Sequence, residues 1–139
     1  MHEPVVVKAI IINQSGQFLL QHRDNIAGIA EPNCWSFFGG LVEQGETLIA
    51  ALERELQEEL SCQVGQIEEE LFRWHQKPTG TLHICFAVRF IAKNEDIFLR
   101  EGQDFAWFFF DEFARLALGS LVSENLSLLG DFVHQSRRM

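Results

Sequence analysis

The sequence contains few cysteines and no pattern typical of soft metal ligands. Its 139 residues include three cysteines, Cys34, Cys62 and Cys85, and none of them falls in a C-x-x-C pair. The five histidines do not form an H-E-x-x-H motif. These spacings argue against a disulfide framework and against a zinc site. We therefore expect three reduced thiols.

Basic residues and long apolar runs are also scarce. Eleven Lys and Arg against twenty Asp and Glu give a formal net charge of -9. Such an acidic surface repels phosphate backbones, so we expect no nucleic-acid partner. The apolar run at 5–12 is interrupted by Lys8 and is too short to span a membrane, and no signal-peptide cleavage pattern follows it. The sequence therefore predicts a cytoplasmic protein without a membrane partner.

The remaining patterns predict one α/β domain over residues 1–139. Strands are expected at 5–12, 18–23, 35–38, 67–76, 81–91 and 105–110, and helices at 47–60, 111–118 and 122–135. A turn signal at 13–16 predicts that the first two strands form a hairpin. Because strands and helices alternate within a short chain, we expect a sandwich with a mixed central sheet.

The helix predicted at 47–60 carries the strongest chemical signal. Thr47 is a suitable N-cap, and leucines recur every four residues, at Leu48, Leu52, Leu56 and Leu60, with Ile49 beside them. Glu55, Glu58 and Glu59 fall within a sector about 100° wide that borders this apolar stripe. Such crowding costs roughly 0.2–0.5 kcal/mol per like-charged pair in an isolated helix. A divalent ion bound by these carboxylates would turn their repulsion into attraction. The alternative is a solvated acidic face that Arg54 neutralises.

The wider pattern resembles the Nudix box, G-x5-E-x7-R-E-U-x-E-E-x-G-U, in which U is a bulky aliphatic residue. Seven of its nine defined positions match: Gly40, Glu46, Arg54, Glu55, Leu56, Glu58 and Glu59. The last two positions hold Ser61 and Cys62 in place of the usual glycine and aliphatic residue. Ser61 should make the left-handed cap of the helix costlier than glycine would.

This resemblance implies a Nudix-type α/β/α sandwich and a MutT-like hydrolase. The implied reaction is hydrolysis of a phosphoanhydride bond in a nucleoside diphosphate linked to another moiety, with Mg²⁺ as the cofactor and Mn²⁺ as a substitute. The implied metal ligands are Glu55, Glu58, Glu59 and the Gly39 carbonyl, and with Arg54 the three glutamates form the catalytic set. The resemblance also implies a structural role for Gly40 and a structural ion pair between Glu46 and Arg54.

Three further residues are weighed against ordinary structural roles. Arg23 resembles the family's substrate-contacting arginine, and the alternative is a surface residue at the end of a strand. Phe38 replaces the usual proline before the glycine pair, where it either stacks on substrate or packs in the core. Glu101 is an extra ligand or base, or simply an exposed loop acid.

The sequence leaves more than one alternative for the substrate and for the functional class of the protein. Pro78 lies near the position of a proline that marks the family's ADP-ribose branch, but it also suits a turn at 77–80. The compact chain equally resembles MutT-type enzymes that act on nucleoside triphosphates. A non-catalytic Nudix-fold nucleotide-binding or regulatory module and an isoprenoid diphosphate isomerase are the competing classes. The expected partner is a small nucleotide-like diphosphate substrate, and a homodimer is one alternative for the oligomeric state.

Overall fold

The computed structural model describes residues 4–100 and 102–136. Seven strands form one sheet: β1 (Val5–Ile12), β2 (Phe18–His22), β3 (Trp35–Ser36), β4 (Phe38–Leu41), β5 (Gly65–Gln76), β6 (Thr81–Phe90) and β7 (Asp104–Phe108). Three α-helices accompany them: α1 (Leu48–Leu60), α2 (Ser120–Glu124) and α3 (Leu126–Ser136). Short 3₁₀ turns occur at Asn94–Asp96 and Phe110–Arg115.

Strand β1 lies at the centre of the sheet. It pairs in parallel with β6 along one edge, from Val5 opposite Leu82 onwards, whereas the other strand pairings are antiparallel. The predicted α/β fold with a mixed sheet is therefore confirmed.

The predicted hairpin of the first two strands is only partly formed. Along its second edge, β1 pairs with β4 from Val6 to Ala9, which is half of its length, and meets β2 only where Ile12 faces Phe18. β2 pairs instead with β7 and β3. The single strand predicted at 35–38 is accordingly divided into two, because β3 pairs with β2 while β4 pairs with β1.

The two faces of the sheet bury separate apolar clusters. Alternate side chains of β1 point to opposite faces, so Ala9 and Ile11 pack beneath α1 while Ile10 packs beneath α2 and α3. The aromatic side chains of the strand predicted at 105–110 are half-buried and pack against these clusters, with Phe105 on the α1 side and Phe108 on the other. The result is a layered arrangement with helices on both faces of one sheet.

Helix α1 forms as its sequence predicts. The Thr47 hydroxyl accepts a hydrogen bond from the Ala50 N–H at 3.1 Å, which satisfies one of the donors left unpaired at a helix start. Leu52, Leu56 and Leu60 are buried against the sheet, whereas Ile49 remains 38% exposed. The apolar face is thus narrower than the sequence pattern indicates.

Helix α1 ends at Ser61, which adopts the left-handed conformation with φ 60° and ψ 21°. This conformation costs a non-glycine residue about 1–2 kcal/mol. We expect Ser61→Gly to raise the free energy of unfolding by about 0.5–1 kcal/mol, because losing the 2.8 Å hydrogen bond from Arg100 Nε to Ser61 Oγ offsets part of the gain. Urea denaturation measures the change. Ser61→Ala is the control and should lower stability, since it keeps the strain and loses the hydrogen bond.

The predicted helices at 111–118 and 122–135 are shorter and shifted. Residues 116–118 run alongside β3, where the Trp35 N–H donates to the Ala117 carbonyl at 2.8 Å, so they cannot continue a helix. The second helix is divided at Asn125, whose side-chain amide donates to the Leu121 carbonyl at 2.7 Å. Such side-chain hydrogen bonds compete with those of the helix.

The prediction about the cysteines can be checked directly. Cys34, Cys62 and Cys85 are all free thiols, as predicted. Within the described ranges, no helix combines the length and apolar character needed to cross a membrane.

Candidate active site

The glycine pair of β4 lies directly against the acidic edge of α1. The backbone N–H of Gly39 donates to Glu59 Oε1 at 3.1 Å, and Glu59 is only 3% exposed. A Cβ atom at Gly40 would lie 2.3 Å from the carboxyl carbon of Glu55. Glycine is therefore needed at position 40 so that the Glu55 carboxylate can approach the strand closely.

Gly39 also permits β4 to pack tightly on β1. Its φ is +154°, and a Cβ atom there would lie 2.0 Å from the Val7 carbonyl oxygen and 2.9 Å from Lys8 Cα. Lys8 is its cross-strand partner. The strand pairing thus fixes the position of the glycine pair relative to the sheet.

Arg54 connects the loop after β4 to α1. Its Nε and Nη2 each donate at 2.8 Å to a different oxygen of Glu46, and Nη2 also donates to the Leu41 carbonyl at 3.0 Å. The ion pair implied by the family resemblance is therefore present. A bidentate arginine–carboxylate contact of this kind fixes orientation as well as distance.

The same guanidinium group contacts the acidic residues of α1. Arg54 Nη1 donates to Glu55 at 2.9 Å and lies 3.4 Å from Glu58. Hydrogen bonding to Glu46, followed by that to Glu55, raises the pKa of Arg54 against the opposing effect of burial. The arginine therefore remains charged and partly neutralises the acidic cluster.

The Glu46 carboxylate predicts a specific pH dependence of stability. The hydrogen bond from Arg54 lowers the pKa of Glu46 from 4.5 to about 2. Because the folded pKa is depressed, its contribution is fully present above pH 4.5 and is lost as the pH falls towards 2. We expect Glu46→Gln to flatten the decline in unfolding free energy across this window. Urea titrations at several pH values test this, and parallel curves for the two proteins would contradict it.

The three carboxylates on α1 have different surroundings. Glu59 is held at Gly39, and Glu55 lies at Gly40 with its side chain 16% exposed. Glu58 is 58% exposed in its side chain. Across residues 4–100 and 102–136, no three His, Cys, Asp or Glu side chains are already gathered as a metal-binding group.

A small cavity lies on the sheet face opposite α1. Its volume is about 110 Å³, and its walls include Lys8, Arg23, Phe37, His83 and Leu121. Burial, followed by the charge of Lys8, lowers the pKa of His83 to about 4, so the ring is neutral near pH 7. Two buried atoms on the walls, Ser36 Oγ and His83 Nδ1, have no hydrogen-bond partner among the described residues.

The structure distinguishes among the three less certain sequence candidates. Arg23 lines the cavity, with its Nε donating to the Ala30 carbonyl at 3.0 Å. Phe38 is fully buried in the cluster beneath α1, so its ring is not placed to stack on a substrate and packing is its role here. Glu101 lies outside the described residues.

Sequence reasoning missed Lys8. This half-buried lysine donates from Nζ to the Phe37 carbonyl at 3.2 Å. Burial lowers its pKa, and the nearby charge of Glu59 opposes that effect. The available signal was a single charge within the β-branched run Val5–Ile12, since a buried strand tolerates such a residue only with a partner or a function.

Comparison with known proteins identifies the family. Residues 2–129 match the NUDIX domain. The chain belongs to the Nudix family. A nucleoside triphosphatase NudI from Salmonella arizonae is 30% identical, over 94% of this chain and 99% of that protein. The Nudix domain and the hydrolase relatives together identify the protein as a pyrophosphohydrolase.

Solved structures show the same Nudix fold. A MutT protein from Methanosarcina mazei Go1 superposes with a TM-score of 0.73 at 21% identity, covering 98% of both chains. The Nudix domain of Shewanella oneidensis NrtR, complexed with ADP ribose, gives a TM-score of 0.75 at 14% identity, covering 96% of this chain and 90% of that one. The predicted MutT-like fold is therefore confirmed.

Proposed function

We propose that this Nudix protein is a Mg²⁺-dependent enzyme that hydrolyses a phosphoanhydride bond in a nucleoside triphosphate. The observation that carries the proposal is the packing of Glu55 and Glu59 on Gly40 and Gly39, with Glu58 on the same helix edge. A second support is the nucleoside triphosphatase relative, which matches over nearly its whole length.

The donor atoms suit a hard divalent cation. Carboxylate and carbonyl oxygens are the protein ligands that Mg²⁺ prefers, and Glu55, Glu58, Glu59 and the Gly39 carbonyl would supply them. Glu58 is exposed enough to turn towards the other two, and its only described ion pair, with Arg54, is 3.4 Å long. Bound Mg²⁺ would neutralise the diphosphate and make a water molecule more acidic, and Mn²⁺ should substitute.

Side chains of the Nudix box perform the remaining steps of the reaction. Glu55 or Glu58 accepts the proton of the attacking water, since each offers a carboxylate at this edge. Arg54 holds the loop and the helix in register through its contacts with Glu46 and Leu41. This rigidity keeps the carboxylates aligned with the glycine pair during the reaction.

A substrate panel tests the proposal. Nucleoside triphosphates, ADP-ribose, dinucleoside polyphosphates and nucleotide sugars are incubated with the protein and Mg²⁺ or Mn²⁺, and released phosphate and nucleotides are quantified. We expect the triphosphates to be cleaved faster than the other classes. Preferential cleavage of ADP-ribose would reject the triphosphate assignment, and binding without cleavage throughout would favour the non-catalytic module.

A further inference from the structure

Lys8 occupies an unusual place in the sheet. It lies on the central strand β1, opposite Gly39 on β4, and its side chain lines the cavity on the face away from α1. A Cβ atom at Gly39 would approach its Cδ to 3.0 Å. The acidic edge of α1 packs against the glycine pair. Lys8 therefore lies between the glycine pair and the cavity.

The hydrogen bonds of Lys8 leave capacity for a ligand. An ammonium group has three donors, and within the described structure one hydrogen bond from Nζ is formed, to the Phe37 carbonyl at 3.2 Å. The charge with the largest effect on the Lys8 pKa is that of Glu59, which itself accepts from the Gly39 N–H. A neutral carbonyl is a weak counterpart for a half-buried cation.

A second cation lines the same cavity. Arg23 and Lys8 are close enough for the charge of Arg23 to disfavour protonation of Lys8. The acidic wall residue, Glu31, opposes this effect of Arg23 on the Lys8 pKa. Its Oε1 accepts from the backbone N–H of Ser120 at 2.9 Å and from the Ser120 hydroxyl, which holds that oxygen at the start of α2. An anion placed between Lys8 and Arg23 would relieve their repulsion.

The size of the cavity limits what can bind there. At about 110 Å³ it is smaller than the roughly 300–1,000 Å³ of pockets that enclose whole drug-sized ligands. It therefore accommodates one part of a nucleotide. The unpartnered atoms Ser36 Oγ and His83 Nδ1 on its walls provide polar contacts for such a fragment.

We infer that Lys8 is a phosphate-binding residue that, together with Arg23, holds the substrate phosphate nearest the nucleoside. This inference rests on the proposed hydrolysis of a nucleoside triphosphate. It assigns the cavity beside Phe37 to the same substrate-binding site as the carboxylates beside Gly39. The ligand class is a phosphate ester or anhydride carrying at least one negative charge.

Substitution of Lys8 provides the first test. Lys8→Met removes the charge while keeping an unbranched apolar stem, and we expect KM for the cleaved nucleotide to rise about ten- to hundredfold, the value of a charge-assisted hydrogen bond. Lys8→Arg should recover most of the affinity. Lys93→Met, which removes the charge of an exposed lysine, is the matched control. Circular dichroism and thermal unfolding establish that each variant is folded.

Chemical protection of the wild-type protein provides a second test without a variant. Acetylation of each lysine is followed by mass spectrometry with and without magnesium pyrophosphate. We expect pyrophosphate to slow the modification of Lys8 and to leave that of Lys93 unchanged. Equal rates at Lys8, or an unchanged KM in folded Lys8→Met, would overturn the assignment.

The two proposals fail in different ways. Nucleotide cleavage by the wild type with an unchanged KM in Lys8→Met rejects the role of Lys8 and leaves the hydrolase intact. Protection of Lys8 by pyrophosphate without cleavage of any panel nucleotide supports the phosphate site and rejects the proposed hydrolysis.

Discussion

Glu58→Gln is expected to lower kcat by about 10²–10⁴-fold, the usual contribution of a residue that transfers a proton in the reaction. The substitution keeps the shape of the side chain and removes its charge. Stability should change little, because Glu58 is 58% exposed and its i,i+4 contact with Arg54 is 3.4 Å long. Such exposed pairs contribute about 0.3–0.5 kcal/mol. Phosphate release under saturating nucleotide and Mg²⁺ measures the loss.

Glu53→Gln is the matched control for this experiment. Glu53 is an exposed acid on the same helix and contacts neither Gly39 nor Gly40 in the structure. It reports the effect of removing one negative charge from α1 without altering the acidic edge. Equal activity in the two variants would show that Glu58 has no special part in the reaction.

Two alanine substitutions in the glycine pair should separate activity from folding. In Gly40→Ala the new methyl group would meet the carboxylate of Glu55 at 2.3–2.5 Å, and that flexible side chain can move aside. We expect stability to change by less than about 1 kcal/mol. Displacing the carboxylate should lower kcat about 10²-fold, the typical cost of a small misplacement at a reacting centre.

Gly39→Ala should instead disturb the fold. Its methyl group would meet the Val7 carbonyl oxygen at 2.0 Å, and backbone atoms cannot move aside without breaking the β1–β4 pairing. We expect a loss of at least about 2 kcal/mol in unfolding free energy. Denaturant unfolding measures both variants, and a Gly39→Ala protein as stable as Gly40→Ala would contradict the close packing described here.

Local sequence signals were sufficient for the helix that carries the acidic residues. The leucine spacing and the Thr47 cap act within a few residues of one another, so α1 was predicted with nearly its observed bounds. The contact between Arg54 and Glu46 followed from the family resemblance. The narrower apolar face at Ile49 depends on how the helix rests on the sheet, which its own sequence does not determine.

Strand pairing and the cavity depend on segments far apart in the chain. The hairpin expected between β1 and β2 is largely replaced, because β4 occupies this edge of β1 from Val6 to Ala9. The cavity is assembled from Lys8, Ser36, His83 and Leu121, which no short window contains. The single lysine in an apolar strand signalled an exceptional position, but its neighbours could be identified only in three dimensions.

The presence of separate apolar clusters on the two sides of the sheet has a consequence for divergence among related enzymes. Residues beneath α1 and those around Leu121 do not share the same packing layer. We therefore expect that changes in the wall formed by α2 can alter substrate preference while the packing beneath α1 keeps Glu55 and Glu59 in position. Conversely, we expect repacking beneath α1 to shift these carboxylates and to lower turnover.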